Sequence, residues 1–120
     1  MSSRIPAIAI DCRDADALAS FWCAALGYRL VKRFTDANGV EYVEIGADGG
    51  GLVLLFQPVP EGKVAKNRLH LDLAPTGGSQ ADEVCRLVGL GARQLADDPE
   101  FPWIVLADPE GNEFCVLPAR

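Results

Sequence analysis

Histidine and methionine each occur once in this chain, and no apolar run comes near the roughly 20 residues that a membrane helix needs. No two cysteines form a Cys-x-x-Cys pair or a finger-like spacing, which excludes a zinc ribbon and a thioredoxin-type redox motif. Cys12, Cys23, Cys85 and Cys115 are instead expected as free thiols, three of them buried as small apolar residues. Basic residues are scarce too: 11 Lys and Arg against 17 Asp and Glu give a net charge of -6. With no basic stripe to neutralise phosphates and release counterions, a nucleic-acid partner is excluded, and an anionic membrane surface would repel the protein. The opening residues Met1, Ser2, Ser3 and Arg4 lack the apolar stretch of a signal peptide, so a cytoplasmic location is expected.

What is present is one domain's worth of chain, 120 residues, with an ordered alternation of patterns. Residues 5–12 read as a buried strand, after which Asp14 stands as an N-cap. From 15 to 26, Leu18, Phe21, Trp22 and Ala25 fall on one helical stripe, and Gly27 closes it. Residues 28–34 and 40–45 alternate with a period of two about a turn at Asp36, Ala37, Asn38 and Gly39, and a third strand follows at 52–57. The triple glycine at 49–51 is a hairpin turn rather than a phosphate cradle, since no helix opening with Lys and Ser or Thr follows it.

After a polar Pro/Gly linker at 58–66 the order repeats. A strand is expected at 68–73, then a helix at 79–90 capped by Ser79 with Val84, Leu87 and Val88 buried. Strands at 92–95, 103–107 and 113–117 follow, the last two joined by a turn at 108–112. The acidic stretch Asp97, Asp98, Pro99 and Glu100 reads as a solvated loop. The pattern is thus a single domain of two βαβββ modules, about 4–57 and 67–118. A repeat of roughly 60 residues whose halves are each too small to bury a sheet face implies that they pack together.

The segments DADALASFWCAALGY (14–28), KNRLHLDL (66–73) and DPEGNEFCVL (108–117), set in this repeat, resemble the vicinal-oxygen-chelate superfamily, and most nearly its small glyoxalase-like proteins. The resemblance runs from Ile5 to Leu117. It implies an α+β fold in which curled mixed sheets surround a cleft for a small-molecule ligand, and it makes a homodimer the expected assembly. Metal-dependent members carry one ligand on the first and last strand of each half. Those positions fall here on Ala7, Leu54, His70 and Cys115, and the first two have no donor atom.

Along the strand at 68–73, His70 and Asp72 share one face, opposite Leu69, Leu71 and Leu73, which are expected against the helix. His70 is therefore the candidate general base, oriented by Asp72 as a ligand-binding neighbour. Glu113 and Cys115 share a face in the same way. Glu113 is the candidate proton-transfer carboxylate, with its pKa raised by partial burial. Cys115 reads either as an inert core thiol, since no nearby cation marks it as a thiolate, or as part of the ligand site. Asp11 occupies in the first half roughly the place of Asp72, and Trp103 is a candidate ligand-binding wall, with Phe101, Tyr42 and Phe56 as lesser ones.

The leading expectation is a small-molecule-binding protein that sequesters a compound or catalyses a proton-transfer step, with no cofactor and without the usual four-ligand metal centre. The alternative is a metal-dependent lyase, isomerase or dioxygenase with a rearranged divalent site of His70, Cys115 and Glu113, which Asp72 could join.

Overall fold

The computed structural model describes residues 1–96 and 98–120; Asp97, part of the expected acidic loop, lies outside them. The chain divides into two compact units, Met1–Gly62 and Lys63–Arg120.

The first unit runs β1 (Ile8–Cys12), α1 (Ala15–Leu26), β2 (Arg29–Thr35), β3 (Glu41–Gly46) and β4 (Val53–Pro58). Asp14 caps α1, its carboxylate accepting the Ala17 N–H at 3.0 Å. Gly27 ends the helix in the left-handed region, φ 68°, where a side chain would be strained. The sheet order is β1-β4-β3-β2, with β1 and β4 parallel and the other pairs antiparallel. Leu18, Phe21 and Trp22 from the helix are buried with Val43, Ile45, Leu54 and Phe56 from β3 and β4, and the Phe21 and Trp22 rings meet edge to face at 5.1 Å.

The second unit repeats this plan with β5 (Asp72–Leu73), α2 (Gln80–Leu90), β6 (Arg93–Ala96), β7 (Ile104–Ala107) and β8 (Glu113–Val116). Its sheet order is β5-β8-β7-β6, again with a parallel first pair. Even an irregularity recurs. The β2–β3 register shifts between Leu30 and Lys32, and the β6–β7 register shifts between Gln94 and Ala96, so each edge strand bulges two residues or so after its start. Ser79 forms a reciprocal capping box with Asp82 at the start of α2. Neither sheet is closed into a barrel, and two mixed sheets with a helix each make the fold α+β. Among the described residues no helix is long and apolar enough to cross a membrane.

Three expectations need correction. The strand predicted at 68–73 pairs only over Asp72–Leu73. Counting back along the parallel register, in which Asp72 faces Cys115, His70 falls opposite Glu113, the first residue of β8; Arg68 and Leu69 therefore have no strand beside them. Leu69 is accordingly 85% exposed rather than packed on a helix. Val88, expected in the buried stripe of α2, is exposed, because only Val84 and Leu87 of this helix reach the core. Of the cysteines expected to be buried, Cys23 is half-buried and Cys85 exposed, so Cys12 and Cys115 are the buried thiols.

The difference between the helices yields a stability prediction. Trp22→Ala empties a fully enclosed site and should cost about 3–5 kcal/mol, whereas Val88→Ala should stay within about 0.5 kcal/mol of the parent. Urea unfolding midpoints check both, and a large loss in the Val88 variant would contradict the burial pattern.

Candidate functional site

The parallel pairing of β5 with β8 brings the chemistry of the second unit together. Backbone bonds from Cys115 N–H to Leu71 O at 2.9 Å and from Leu117 N–H to Leu73 O at 2.7 Å fix the register, and Asp72 lies beside Cys115. His70 precedes them by two residues. Its Nε2 stands 3.4 Å from Asp72 Oδ1, with both side chains about half exposed. Donor atoms of His70, Asp72 and Cys115 all lie within 4.8 Å of one another. Three of the residues singled out by sequence thus meet in one patch, two open to solvent and the third buried at its base.

Burial chiefly, and then the charge of Asp72 and a hydrogen bond to it, push the Cys115 thiol up from its ordinary value. Lys66 pulls the other way more weakly, a nearby cation that sequence reading did not find. The thiol therefore stays protonated near neutral pH, its hydrogen directed to the Asp72 carboxylate.

Glu113 is placed differently from expectation. Its carboxylate accepts the Asn67 N–H at 3.0 Å and pairs with Lys63 Nζ at 3.1 Å, both side chains of the pair being largely buried. These contacts hold its pKa down, from an ordinary 4.5 to about 2, with the backbone hydrogen bond from Asn67 the largest cause and burial opposing it. The expected rise is thus reversed: Glu113 is a fixed anion that pins residues 63–67 to the start of β8. Lys63 and Asn67, its partners, carried no signal in the sequence, since both sit in or next to the polar stretch read as a linker.

The turn before β8 is held by Asp108, which is buried. Its Oδ1 accepts the N–H groups of Glu110 at 2.9 Å and Asn112 at 3.0 Å, while the Asn112 side-chain amide donates to both carboxylate oxygens. The DPEGN segment is therefore a clamp that delivers Glu113 and Cys115 to β5. Asp36 makes a similar turn in the first unit, accepting from Asn38 at 2.8 Å and Val40 at 3.0 Å.

Asp11, Tyr42 and Phe56 belong to the first unit, and Trp103 to the segment before β7 in the second. Asp11 is exposed in the first unit, opposite Gln57 in the β1–β4 pair. Trp103 stacks on Phe101 at 4.8 Å, both rings exposed, in a loop whose Pro102 carbonyl accepts from Gln80 Nε2 at 2.7 Å. Phe56 is core, and Tyr42 stacks on Phe34 and donates to Asp36. Of the positions that the resemblance marks for metal ligands, Leu54 is wholly buried in the first sheet opposite Ile8, and neither it nor Ala7 offers a donor. The residues present do not fit a four-ligand centre of that kind.

A family model for a glyoxalase-like domain matches residues 7–117. The chain belongs to this family, and with it to the vicinal-oxygen-chelate superfamily. Among solved structures, a mutant of the fosfomycin resistance protein FosX from Listeria monocytogenes, complexed with Mn(II) and 1S,2S-dihydroxypropylphosphonic acid, aligns with a TM-score of 0.75 at 14% identity, covering 98% of this chain and 93% of that one. The trypanothione-dependent glyoxalase I of Leishmania major aligns at 0.68 and 16% identity, covering 97% and 86%. A glyoxalase/bleomycin resistance protein/dioxygenase family enzyme from Burkholderia phytofirmans gives 0.68 and 16%, covering 91% and 93%. At these identities the likeness is one of fold. No curated protein matches the sequence.

Because its folded pKa is depressed, Glu113 contributes stability that is complete above its ordinary 4.5 and lost as pH falls toward about 2. Glu113→Gln should therefore be less stable than the parent at pH 7 and should lose less on acidification. Thermal unfolding between pH 7 and 2 measures this, and identical acid slopes for the two proteins would contradict the ion pair.

Proposed function

We propose that this chain is a small-molecule-binding member of the glyoxalase-like family whose ligand engages His70, Asp72 and Cys115, sequestering a compound or undergoing proton transfer at His70, without the four-ligand metal centre. The observation that carries the reading is the convergence of an imidazole, a carboxylate and a thiol on the β5–β8 pair, with two of the three open to solvent. His70 supplies the base or a hydrogen bond to the ligand; Asp72 positions it from 3.4 Å. Glu113, held as an anion by Lys63, keeps the strand start in place rather than moving protons. Asp11 and Trp103 are left as contributors to ligand contact from elsewhere in the chain. The dihydroxypropylphosphonic acid held by the Listeria protein supports a small organic ligand for this fold.

Screening the whole chain against metabolites and antibiotics tests this. A true ligand at about 100 times its dissociation constant adds roughly 2.7 kcal/mol of stability. That gain should disappear in His70→Ala and persist in Val88→Ala. A stabilising compound that acts equally on the His70 variant would move the site elsewhere.

A metal-dependent lyase, isomerase or dioxygenase is the second reading, and the 4.8 Å grouping of three unlike donors favours it. Its set is His70, Asp72 and Cys115, since Glu113 is occupied by Lys63 and Asn67. Zinc, iron, nickel or manganese retained through purification by the parent and lost from His70→Ala would support it.

The protein is further read as a cytoplasmic homodimer. Its free thiols suit a reducing compartment. Strand β2 is exposed along its whole length and presents Leu30, Val31 and Phe34, an apolar edge that a second copy would cover. Sedimentation at micromolar concentration should show about 26 kDa, twice 12.8 kDa, and particles of 12.8 kDa alone would overturn the dimer.

A further inference from the structure

The hairpins at the edges of the two sheets match position by position. In β2 and β3, Arg29 pairs with Gly46, Leu30 with Ile45 and, past the bulge, Lys32 with Glu44. In β6 and β7, Arg93 pairs with Ala107, Gln94 with Leu106 and, past the bulge, Ala96 with Val105. Three residues back from Ile45 is Tyr42, and three back from Leu106 is Trp103. Each is an aromatic residue stacked on a phenylalanine of its own unit. Tyr42 lies on Phe34 with ring centroids 4.9 Å apart, and Trp103 lies on Phe101 at 4.8 Å, with interplanar angles of 20° and 17°.

The pairs differ in what covers them. Lys32 Nζ stands 5.0 Å from the centre of the Phe34 ring, inside the roughly 6 Å over which a ring face attracts a cation. The second unit has Ala96 in the place of Lys32, and among the described residues no cation lies over Phe101 or Trp103. Their loop instead carries the exposed carboxylates of Asp98 and Glu100. The two rings are 48% and 39% exposed, yet the loop that presents them is braced. The Asp98 carbonyl accepts the Phe101 N–H at 2.9 Å, and its Oδ1 accepts the Glu100 N–H at 3.0 Å. Gln80 Nε2 donates to both the Pro102 carbonyl at 2.7 Å and the Val116 carbonyl at 2.8 Å, which ties the loop to the end of β8. Two large rings held in water, with negative charge beside them and no cation of their own, are complementary to a cation from outside the chain.

We propose that Phe101 and Trp103 form a platform for a small organic cation, a free alkylammonium compound whose charged head lies over a ring as Lys32 lies over Phe34. An alkylated head suits the place because ring faces make the contact without any hydrogen bond, and Trp is the ring that attracts a cation best. Asp98 and Glu100 draw positive charge to the loop, an attraction that salt screens. Trp103 thereby gains a ligand class of its own. Since the platform uses none of His70, Asp72 and Cys115, it does not rest on the reading given for those three.

The test titrates the full chain with choline chloride and with its uncharged carbon analogue, in which a tert-butyl group replaces the trimethylammonium head, and follows the methyl proton resonances of each. The choline resonance should move upfield, as protons over a ring face do, and should saturate. Choline should bind at least about fivefold more tightly than the analogue. Trp103→Leu keeps an apolar side chain without a ring, and it and Phe101→Ala should each weaken choline binding at least about fivefold. Both side chains are exposed, so neither variant threatens the fold. Val88→Ala should bind choline as the parent does.

No saturable choline shift, equal affinity for choline and the neutral analogue, or unchanged choline binding in Trp103→Leu would each overturn the proposal. Choline binding that is lost in His70→Ala and kept in Trp103→Leu would put the cation on the other patch and overturn it as well. A parent that sediments as a dimer and binds no choline, with Trp103→Leu sedimenting as single chains, would show the rings covered by a second copy, and the proposal falls. A compound whose stabilising effect depends on His70, found without any choline shift, would leave the earlier reading standing alone.

Discussion

Parallel pairing between two short strands, with Asp72 beside Cys115, is the constraint on which the site depends. The strand β5 is two residues long and has few bonds of its own, so its position is set by what surrounds it. Helix α2, started by the Ser79 capping box and stopped at Gly91, packs Val84 and Leu87 under the sheet. The Asp108 clamp turns the chain into β8 at a fixed point, and Glu113 ties the incoming segment to the same strand through Asn67 and Lys63. Shift the register by one residue and Cys115 would turn to the opposite face from Asp72.

Charge is divided sharply along this strand. Glu113 is satisfied by a lysine and a backbone N–H and is held well below its ordinary pKa, so it serves as a structural anion. Two residues on, Cys115 is pushed in the opposite direction and kept neutral. The patch therefore offers one buried neutral sulfur beneath two accessible groups, one of them a carboxylate. That arrangement suits recognition of a ligand or an ion better than nucleophilic attack by the thiol, which would need a thiolate near neutral pH.

Much of the fold could be read from the residues because local signals agreed with one another. Asp14 and Gly27 bound α1, Ser79 and Gly91 bound α2, and alternating patterns about Asp36 and Asp108 gave the hairpins. The likeness of the two halves extends beyond sequence, to matching sheet orders and matching bulges. Reading was poorest where tertiary partners decide. Alternation at 68–73 suggests a full strand, yet only Asp72 and Leu73 pair with β8, and Arg68 and Leu69 lie beyond its start. Glu113 looked like a proton carrier because its partners Lys63 and Asn67 are about 50 residues away and invisible to any local pattern. Conversely, the face-sharing of His70 with Asp72 was inferred from a strand that does not extend to His70, and the two side chains meet nonetheless.

The contact between Asp72 and Cys115 across β5 and β8 is the point where fold and chemistry join. A double-mutant cycle of Asp72→Asn and Cys115→Ser, read by urea unfolding of the metal-free chain, measures it most directly. Direct contact predicts a coupling energy of about 0.5–3 kcal/mol. Effects that add to within about 0.3 kcal/mol would show that the two side chains do not meet, and would contradict the site built on them.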